Sequence, residues 1–332
     1  MTLNQPTDSQ PNPAFFPRVS VIVPIYNGET DLPDLIRCLL SQTYPKELVE
    51  YLLVDNNSRD RTPAILEKAE QDARSQGIKL SHLTENQIQS SYAARNKAIQ
   101  ASTGEILAFT DADCRPLPQW LNLLVEPFAD PKVGLVVGEI AALPGKTLLE
   151  QHADRQSTLT QKATLAHPFC PYGQTANLAI RRQVLEEVGL FRPYLTTGGD
   201  ADMCWRIQRE TNWQLSFAEQ AIVQHRHRAT LQEFRSQWQR YGRSNKYLHE
   251  LHGVKLRPKL TAQTSLYLIS RWVLKELPTT SVKVVTGKAA FGELLSTPIN
   301  LYGTWYRDVG QQQAQLSEQA KEIEWLQKPQ NK

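Results

Sequence analysis

The N-terminal third of the chain alternates short apolar runs with segments whose apolar residues recur at helical spacing. The runs are RVSVIVPIYN (18–27), YLLVDNNS (51–58), IKLSHLTE (78–85) and EILAFTDAD (105–113). Short runs rich in β-branched and aliphatic residues are typical of strands buried on both faces. Strands separated by helices predict a parallel sheet with helices packed on its faces.

The alternation breaks down after Asp113. A helix at about 117–128 is predicted before the strand VGLVVGEI (133–140), and QLSFAEQAIVQHRH (214–227) predicts a later strand or pair of strands. The pattern is helical from about residue 229. We therefore expect a mixed, mostly parallel sheet followed by a helical extension.

Composition narrows the class of protein. Of the 332 residues, 40% are hydrophobic and 21% charged, which is typical of a soluble globular protein with a large core. The net charge of +3 does not indicate a polyanion ligand, so we expect no nucleic-acid partner. The four cysteines form no C-x-x-C pair, which favours reduced thiols in a cytoplasmic protein. We recognise no signal peptide and no run of about 18 apolar residues that would span a membrane.

Polar residues stand where three predicted strands end: at 24–27, at 55–57, and at Asp111 and Asp113. Ligands of open α/β sheets bind outside the carboxyl ends of the strands, so these clusters predict a site at one edge. The first β-α turn, PIYNGETD, has a single glycine, and neither G-x-G-x-x-G nor a P-loop motif occurs. Two carboxylates would repel a diphosphate unless they held a cation, and oxygen ligands suit Mg²⁺ or Mn²⁺.

Six segments together resemble the family-2 glycosyltransferases of the GT-A fold. They are VSVIVPIYNGE, LLVDNNSRDRT, AARNKAI, GEILAFTDADC, NLAIRR and GGDADMCWR, in the family's order and spacing over about 18–245. The resemblance implies an α/β GT-A fold with a mixed, mostly parallel sheet flanked by helices. We expect a flexible leader over 1–17, a catalytic domain over 18–228, a helical extension over 229–310 and a frayed or disordered polar tail over 311–332.

The resemblance also implies a nucleotide-diphosphate sugar as donor, with a UDP-sugar favoured. The residues that it implies at the nucleotide are Pro24, Tyr26, Asn27, Asp55, Arg95, Asn96 and Asp111. The divalent cation, Mn²⁺ or Mg²⁺, would be held by Asp111 and Asp113, and His225 and His227 qualify as further ligands by their spacing.

The second D-x-D, in GGDADM, is expected to carry the catalytic base. In inverting relatives the residue matching Asp200 takes the proton of the acceptor hydroxyl. Gly199 stands where relatives usually have Glu, which bears on acceptor binding, and Asp202 is expected to orient the loop. Asn177 is a candidate for contact with the donor sugar.

These side chains also have structural interpretations that the sequence leaves open. They are a solvated helix face (Arg95), a turn (Asp55, Asp113), a helix cap (Asp200, Asp202), a surface His-Arg run (His225, His227) and a strand edge (Asn177).

Residues 225–260 contain nine Lys or Arg against two Glu, with aromatic residues between them. They predict contact with an anionic membrane surface, with a lipid-phosphate acceptor or with the donor diphosphate, or else a solvated face whose aromatics pack on the catalytic domain. QWQRY (237–241) nearly matches the Q-x-x-R-W of processive polysaccharide synthases, but no transmembrane helix is predicted here, which favours a single transfer.

We therefore expect a bacterial, non-processive, metal-dependent and inverting glycosyltransferase of the hexosyltransferase type (EC 2.4). It is expected to be cytoplasmic, or peripheral at the inner face of the membrane. The acceptor stays unknown, with a lipid-linked or polysaccharide precursor as candidates. The alternatives are a catalytically silent nucleotide-sugar-binding homologue and a sugar nucleotidyltransferase, and the latter normally opens with a Gly-rich loop that is absent here.

Overall fold

The computed structural model describes residues 15–326, and its centre is one eight-stranded sheet. The strands are β1 (Val19–Ile25), β2 (Val49–Asp55), β3 (Lys79–Thr84), β4 (Ile106–Phe109), β5 (Cys114–Pro116), β6 (Val133–Ala142), β7 (Leu178–Arg181) and β8 (Gln214–His225). Their order in the sheet is β3-β2-β1-β4-β7-β6-β8-β5.

The sheet is mixed. The β3-β2-β1-β4 half and the β6–β8 pair are parallel, whereas β7 is antiparallel to β4 and β6, and β5 is antiparallel to β8. The predicted α/β fold with a mixed, mostly parallel sheet is confirmed.

The helices that cover the sheet are α1 (Leu32–Leu40), α2 (Thr62–Ser75), α3 (Ser91–Ala101), α4 (Trp120–Val125), α5 (Leu148–Arg155), α6 (Gln161–Leu165), α7 (Arg182–Val188) and α8 (Gly199–Glu210). The extension consists of α9 (Leu231–His252), α10 (Ala262–Arg271), a π-helical turn (Trp272–Glu276), α11 (Leu277–Val285) and α12 (Ser296–Gln313). Short 3₁₀ helices lie at Lys46–Leu48, Glu126–Ala129, Thr175–Asn177, Phe291–Leu295 and Gln319–Lys321.

Strand β1 is buried on both faces, as its uninterrupted apolar sequence predicts. Val21 and Val23 belong to an apolar cluster shared with α1 and α2, whereas Ile22 belongs to a second cluster shared with α3 and α7. Successive side chains of a strand point to opposite faces, so one strand anchors both layers of helices.

The long helices α9 and α12 of the extension pack against each other through glycine. A Cβ atom on Gly242 would overlap the carbonyl oxygen of Arg307, and one on Gly310 would overlap that of Gln239. Gly303 lies against the indole of Trp238. The two backbones can approach this closely only because these positions carry no side chain.

The segment after α12 packs against α3 and against the stretch that follows α7. Ala314 and Ala320 are buried, and the Glu324 carboxylate accepts hydrogen bonds from Asn96 (2.7 Å) and Gln100 (2.6 Å). The backbone N–H of Leu190 donates to the Glu324 carbonyl at 2.7 Å. Over 311–326 the structure therefore differs from the frayed or disordered tail that was predicted, because apolar residues within this polar stretch join the core. Residues 1–14 of the predicted leader and 327–332 of the tail lie outside the described residues.

Within residues 15–326, no helix combines the length and the apolar character that crossing a bilayer requires.

We expect Gly242→Ala to destabilise the protein. The added methyl group meets backbone rather than a movable side chain, and overpacking of this kind costs about 1–3 kcal/mol. Urea unfolding of Gly242→Ala measures the loss, with the exposed Ser236→Ala on the same helix as control. Equal unfolding midpoints for the two variants would show that α9 and α12 are not in close contact.

Candidate active site

The carboxyl ends of the parallel strands form the floor of the candidate site. Ile25, Asp55 and Thr84 lie side by side in register at the ends of β1, β2 and β3. The Asp55 carboxylate is buried and accepts a hydrogen bond from the Ser58 backbone N–H at 3.1 Å. It therefore also shapes the turn after β2, the structural interpretation that the sequence left open.

A cavity of about 330 Å³ opens beside these strand ends. Pro24 and Tyr26, both predicted at the nucleotide, line it together with Asn56, Gln89 and Arg240. Tyr26 is half exposed, so its ring is free to stack on a planar ligand.

Asn27 is held in the turn after β1 rather than on this wall. It has a positive φ of 50°, its N–H donates to the Ser58 hydroxyl at 2.8 Å, and its side-chain oxygen accepts from the Arg59 N–H at 2.8 Å. An Asn tolerates the left-handed region and bonds locally there, so this residue fixes the rim.

The first D-x-D lies in the turn between β4 and β5, just beyond the carboxyl end of β4, the edge of the fourth strand at which the sequence placed it. The Asp111 carboxylate accepts a hydrogen bond from the Arg95 guanidinium at 2.6 Å. Arg95 is buried, lies over the ring of Tyr92 at 5.4 Å, and has an Nε without a partner among the described residues. Arg95 is therefore not a solvated helix arginine, and its charge is directed at the site.

Asp113 is surrounded by cationic groups. Its carboxylate lies 3.3 Å from Nε2 of His225 and 3.1 Å from the Arg228 guanidinium. Burial favours the neutral carboxyl, but the charges of His225 and Arg228 outweigh it and hold the pKa of Asp113 well below its usual value. Asp113 is therefore an ionised carboxylate next to an imidazole nitrogen.

His227 is buried but does not join Asp113. β8 ends at His225, so the two histidines do not share a strand face as their spacing suggested. Burial and the neighbouring His225 lower the pKa of His227. Asp113, Cys114 and His225 form the group of potential ligands found within 15–326.

Asp200 is half-buried in the first turn of α8. Its two carboxylate oxygens accept hydrogen bonds from the N–H (3.2 Å) and the hydroxyl (3.1 Å) of Thr175. Burial raises the pKa of Asp200; Arg95 opposes this and the negative charge of Asp111 adds to it. Asp200 therefore lies close enough to Arg95 and Asp111 for their charges to shift its pKa, so the two D-x-D motifs belong to one site. The N-cap of α8 is Gly198, so Asp200 is not the cap.

Gly199 lies against Tyr92. Its N–H donates to the Tyr92 hydroxyl at 2.9 Å, and a Cβ atom there would lie 2.6–2.8 Å from carbons of the ring. No larger residue fits at 199 while Tyr92 keeps this position. Glycine at 199, where the family usually has Glu, therefore leaves room for the Tyr92 ring on which the Arg95 guanidinium lies.

Two predicted ligand contacts instead have structural partners. Asn96 exchanges hydrogen bonds with the Phe191 backbone and donates to Glu324. Asn177 is buried, donates to the carbonyls of Glu139 and Ala221, and accepts from the Trp120 indole at 2.8 Å. The structure leaves neither amide free to contact a donor.

Comparison with known proteins places this geometry in a family. The family described as glycosyl transferase family 2 matches residues 20–189, about half of the chain, and glycosyl transferase family group 2 matches 106–295. The glycosyltransferase AglE of Haloferax volcanii is 33% identical over 259 residues, which are 78% of this chain and 80% of AglE.

The chain belongs to glycosyl transferase family 2. A pre-mycofactocin glycosyltransferase of Mycobacterium tuberculosis is 30% identical over 192 residues, covering 56% of this chain and 40% of that longer protein. Among solved structures, a mannosyltransferase of Pyrobaculum calidifontis, in complex with GDP-Man and Mn²⁺, superposes with a TM-score of 0.61 at 22% identity, over 93% of this chain and 89% of that one. The resemblance stated from the sequence and the GT-A fold are confirmed.

The sequence did not single out several residues of this family-2 transferase's site. The Thr175 hydroxyl donates a hydrogen bond to Asp200, the Tyr92 ring lies under the Arg95 guanidinium, and Arg228 forms an ion pair with Asp113. Tyr92 precedes Arg95 by three residues on α3, so helical spacing was a usable signal for it. Nothing local marks Thr175, because it meets Asp200 only through the packing of the 3₁₀ turn before β7.

Asp202, predicted to orient the loop, lies at the centre of a buried ionic network. Its carboxylate contacts the guanidinium groups of Arg192 (3.0 Å) and Arg206 (3.1 Å) and Nε2 of His252 (2.9 Å). Burial alone would raise the pKa of Asp202, but His252 and the two arginines outweigh it and hold it well below the usual value. The network ties α8, which carries Asp200, to the end of α9.

We expect Asp202→Asn to destabilise the enzyme by about 3–5 kcal/mol, because Arg206 would keep a buried charge without a counter-ion. The folded-state pKa of Asp202 is lower than in the unfolded chain. Its ion pairs therefore stabilise the fold fully above about pH 4, and this contribution is lost as the pH falls through the folded-state pKa. Chemical unfolding across the acid range measures both effects. A variant with the wild-type free energy of unfolding at pH 7 would contradict the network.

Proposed function

We propose that this glycosyltransferase moves a hexose from a nucleoside-diphosphate sugar to an acceptor hydroxyl, with a divalent cation and with inversion at the anomeric carbon. The observation that carries the proposal is the convergence of Asp111, Asp113 and Asp200 at the carboxyl ends of the strands, where Arg95 and His225 face them. Placing several carboxylates close together in a partly buried site costs free energy, so the presence of this cluster fits a catalytic role.

The cavity lined by Pro24, Tyr26 and Asn56 is proposed to hold the nucleoside. Arg240 of α9 is among its lining residues and would supply positive charge for the phosphates. A UDP-sugar is the favoured donor. The solved mannosyltransferase of the same fold was crystallised with GDP-Man, so guanosine donors belong in any panel of substrates.

The residues present fit a hard cation. Asp113 offers an ionised carboxylate 3.3 Å from Nε2 of His225, which would have to release its proton before it could ligate a cation, and Nδ1 of His225 is buried without a partner among the described residues. Oxygen ligands suit Mn²⁺ and Mg²⁺, and the imidazole favours Mn²⁺. Cys114 lies beside both residues, but its sulfur is a soft ligand that suits Mg²⁺ and Mn²⁺ less well than oxygen does, and burial raises the pKa of its thiol. When bound, the cation would neutralise the charge of the departing diphosphate.

Asp200 is proposed as the general base. The acceptor oxygen attacks the anomeric carbon, its proton passes to the Asp200 carboxylate, and the bond from that carbon to the phosphate oxygen breaks to release the nucleoside diphosphate. Thr175 holds the carboxylate in place, and the raised pKa makes it a stronger base than a solvated Asp. In-line attack from the face opposite the diphosphate gives inversion.

A second cavity, of about 410 Å³, is proposed to bind the acceptor. Tyr172, whose phenol interacts electrostatically with Asp200, lines it together with Trp238, Tyr241, Arg257 and Arg307. Aromatic rings stack on sugar faces, and arginines bind phosphate or carboxylate groups. The cavity therefore suits a sugar or a phosphate-bearing acceptor, a class that includes lipid-linked and polysaccharide precursors.

We expect Asp113→Ala to lose metal-dependent donor binding while keeping the fold. Calorimetric titration with UDP- and GDP-sugars, in Mn²⁺, in Mg²⁺ and in EDTA, measures donor affinity. Asp72→Ala, which removes an exposed carboxylate far along α2, is the matched control. If Asp113→Ala binds a donor as tightly and as metal-dependently as the wild type, the proposed cation site is refuted. A wild type that binds no donor would favour a silent homologue, and pyrophosphate release from sugar phosphate and nucleoside triphosphate would favour a nucleotidyltransferase.

We expect Asp200→Asn to bind donor normally and to lose roughly 10²–10⁴ in transfer rate. It should also be at least as stable as the wild type at pH 7. The folded-state pKa of Asp200 is raised, so the ionised carboxylate costs stability as the pH rises above its unfolded value, and Asn escapes this cost. Nucleoside diphosphate release, donor titration and chemical unfolding report the three properties, and the anomeric configuration of the product is read by NMR. Transfer at the wild-type rate by Asp200→Asn would eliminate Asp200 as the base, and a retained configuration would eliminate single in-line displacement.

A further inference from the structure

Large apolar side chains are unusually exposed on the segment 262–291, which comprises α10, the π-helical turn and α11. Leu266 is 70% exposed, Leu274 79% and Val285 87%, and α10 and α11 have no buried residue. Other exposed apolar residues of the segment are Tyr267, Ile269, Val273, Val282 and Phe291. Large apolar side chains exposed along one helical segment of a folded protein mark an interaction site.

The same segment is basic. It carries Arg271, Lys275, Lys283 and Lys288 against Glu276 alone, and Glu276 is already paired with Arg271 at 2.8 Å. The three lysines are exposed. Lysine stems can lie along an apolar surface while their ammonium groups reach the aqueous side. Exposed apolar residues with flanking lysines match the interfacial zone of an anionic bilayer.

Four of the nine basic residues in the stretch 225–260 have partners within the protein. Arg226 pairs with Asp31 and Arg228 with Asp113, while Arg235 lies 4.7 Å over the ring of Tyr306. Lys246 pairs with Glu250 at 3.0 Å. The other five basic residues of this stretch have no ion pair among the described residues, so it can add positive charge to a membrane contact, but the large exposed apolar side chains are concentrated on 262–291.

The segment is attached firmly to the rest of the molecule. The Trp272 indole donates to the Leu294 carbonyl at 2.9 Å, and the Thr297 hydroxyl donates to the Glu276 carboxylate. His152 on α5 contacts Asn300 on α12 at 2.9 Å. The exposed surface is therefore held in place by polar contacts on its inner side, and is not a loose helix.

We propose that 262–291 binds the surface of an anionic lipid bilayer, with α10 and α11 lying in the plane of the interface. Four charged residues interrupt the helical stretch 262–285, which excludes a fully apolar environment and places the helix at the boundary between headgroups and acyl chains. The proposal goes beyond the transfer reaction and does not depend on it.

Two other occupants fit the surface less well. In a symmetric dimer the same patch would meet itself and bring the lysines of both copies together, which like-charge repulsion disfavours. Residues 1–14 and 327–332 of this sequence contain only Met1 and Leu3 as large apolar residues, too few to cover it.

Sedimentation with extruded vesicles tests the proposal on the full chain. We expect the wild type to bind vesicles of phosphatidylcholine with 30% phosphatidylglycerol, and to bind pure phosphatidylcholine at least tenfold more weakly. The variant Leu266→Gln/Leu274→Gln/Val285→Gln should lose binding to the anionic vesicles more than tenfold, because it removes apolar area that the lipid would bury. Leu231→Gln, which changes a leucine that is 59% exposed on α9, should bind as the wild type does.

The charge component has its own matched pair of variants. Lys275→Gln/Lys283→Gln/Lys288→Gln should weaken binding more than tenfold and reduce its salt dependence, whereas Lys46→Gln/Lys68→Gln/Lys97→Gln, with the same change in net charge, should not. A wild type that does not bind anionic vesicles overturns the proposal, as do equal losses for each variant and its control. If the wild type does not bind vesicles but forms a dimer, and Leu266→Gln/Leu274→Gln/Val285→Gln is a monomer, the surface is an interface between copies of the chain and the proposal is wrong. Thermal unfolding of each variant confirms that it is folded.

Discussion

The site depends on the balance between acidic side chains and the positive groups that face them. Asp111, Asp113 and Asp200 gather at one edge of a sheet, where mutual repulsion would otherwise push them apart or protonate them. Arg95 binds Asp111, and His225 with Arg228 binds Asp113, whereas Asp200 accepts hydrogen bonds from the neutral donors of Thr175. The pKa of Asp113 is thus lowered while that of Asp200 is raised, and environments that push the pKa values of two carboxylates apart are typical of sites with acid and base roles.

The helical extension and the segment after it contact the two helices, α8 and α3, that carry Asp200 and Arg95. His252, at the end of α9, contacts the network around Asp202, and Ser244 on the same helix lies where a side chain at Gly198 would be. On the other side, Glu324 binds Asn96 on the helix that carries Arg95. The helices that carry Asp200 and Arg95 are therefore each tied to the C-terminal part of the chain. The extension thus supports the candidate site and also carries the proposed lipid surface.

Sequence patterns predicted the first half of the fold well, and the site less evenly. The four N-terminal strands lie within a few residues of their predicted bounds, because full burial on both faces leaves a strong apolar signal. Asn96, Asn177 and Asp202 were harder, since polar residues next to a motif read alike whether they face a ligand or a buried partner. Which of the two applies depends on the partner. The partners are Phe191 for Asn96, Trp120 for Asn177 and Arg206 for Asp202, and each is either distant in sequence or not part of a recognisable motif. The segment 314–326 was misread because its few apolar residues are diluted by glutamine.

The sequence by itself determined the alternating strands and helices, the acidic residues at the strand ends and the family to which the chain belongs. Local hydrophobic periodicity and short motifs carry that information. Only the tertiary structure decided that His225 rather than His227 reaches Asp113, that Gly199 accommodates Tyr92, and that the exposed apolar surface lies on 262–291. Each of these depends on which distant segments pack together, and that is set by burial and charge pairing across the whole molecule rather than by neighbours along the chain.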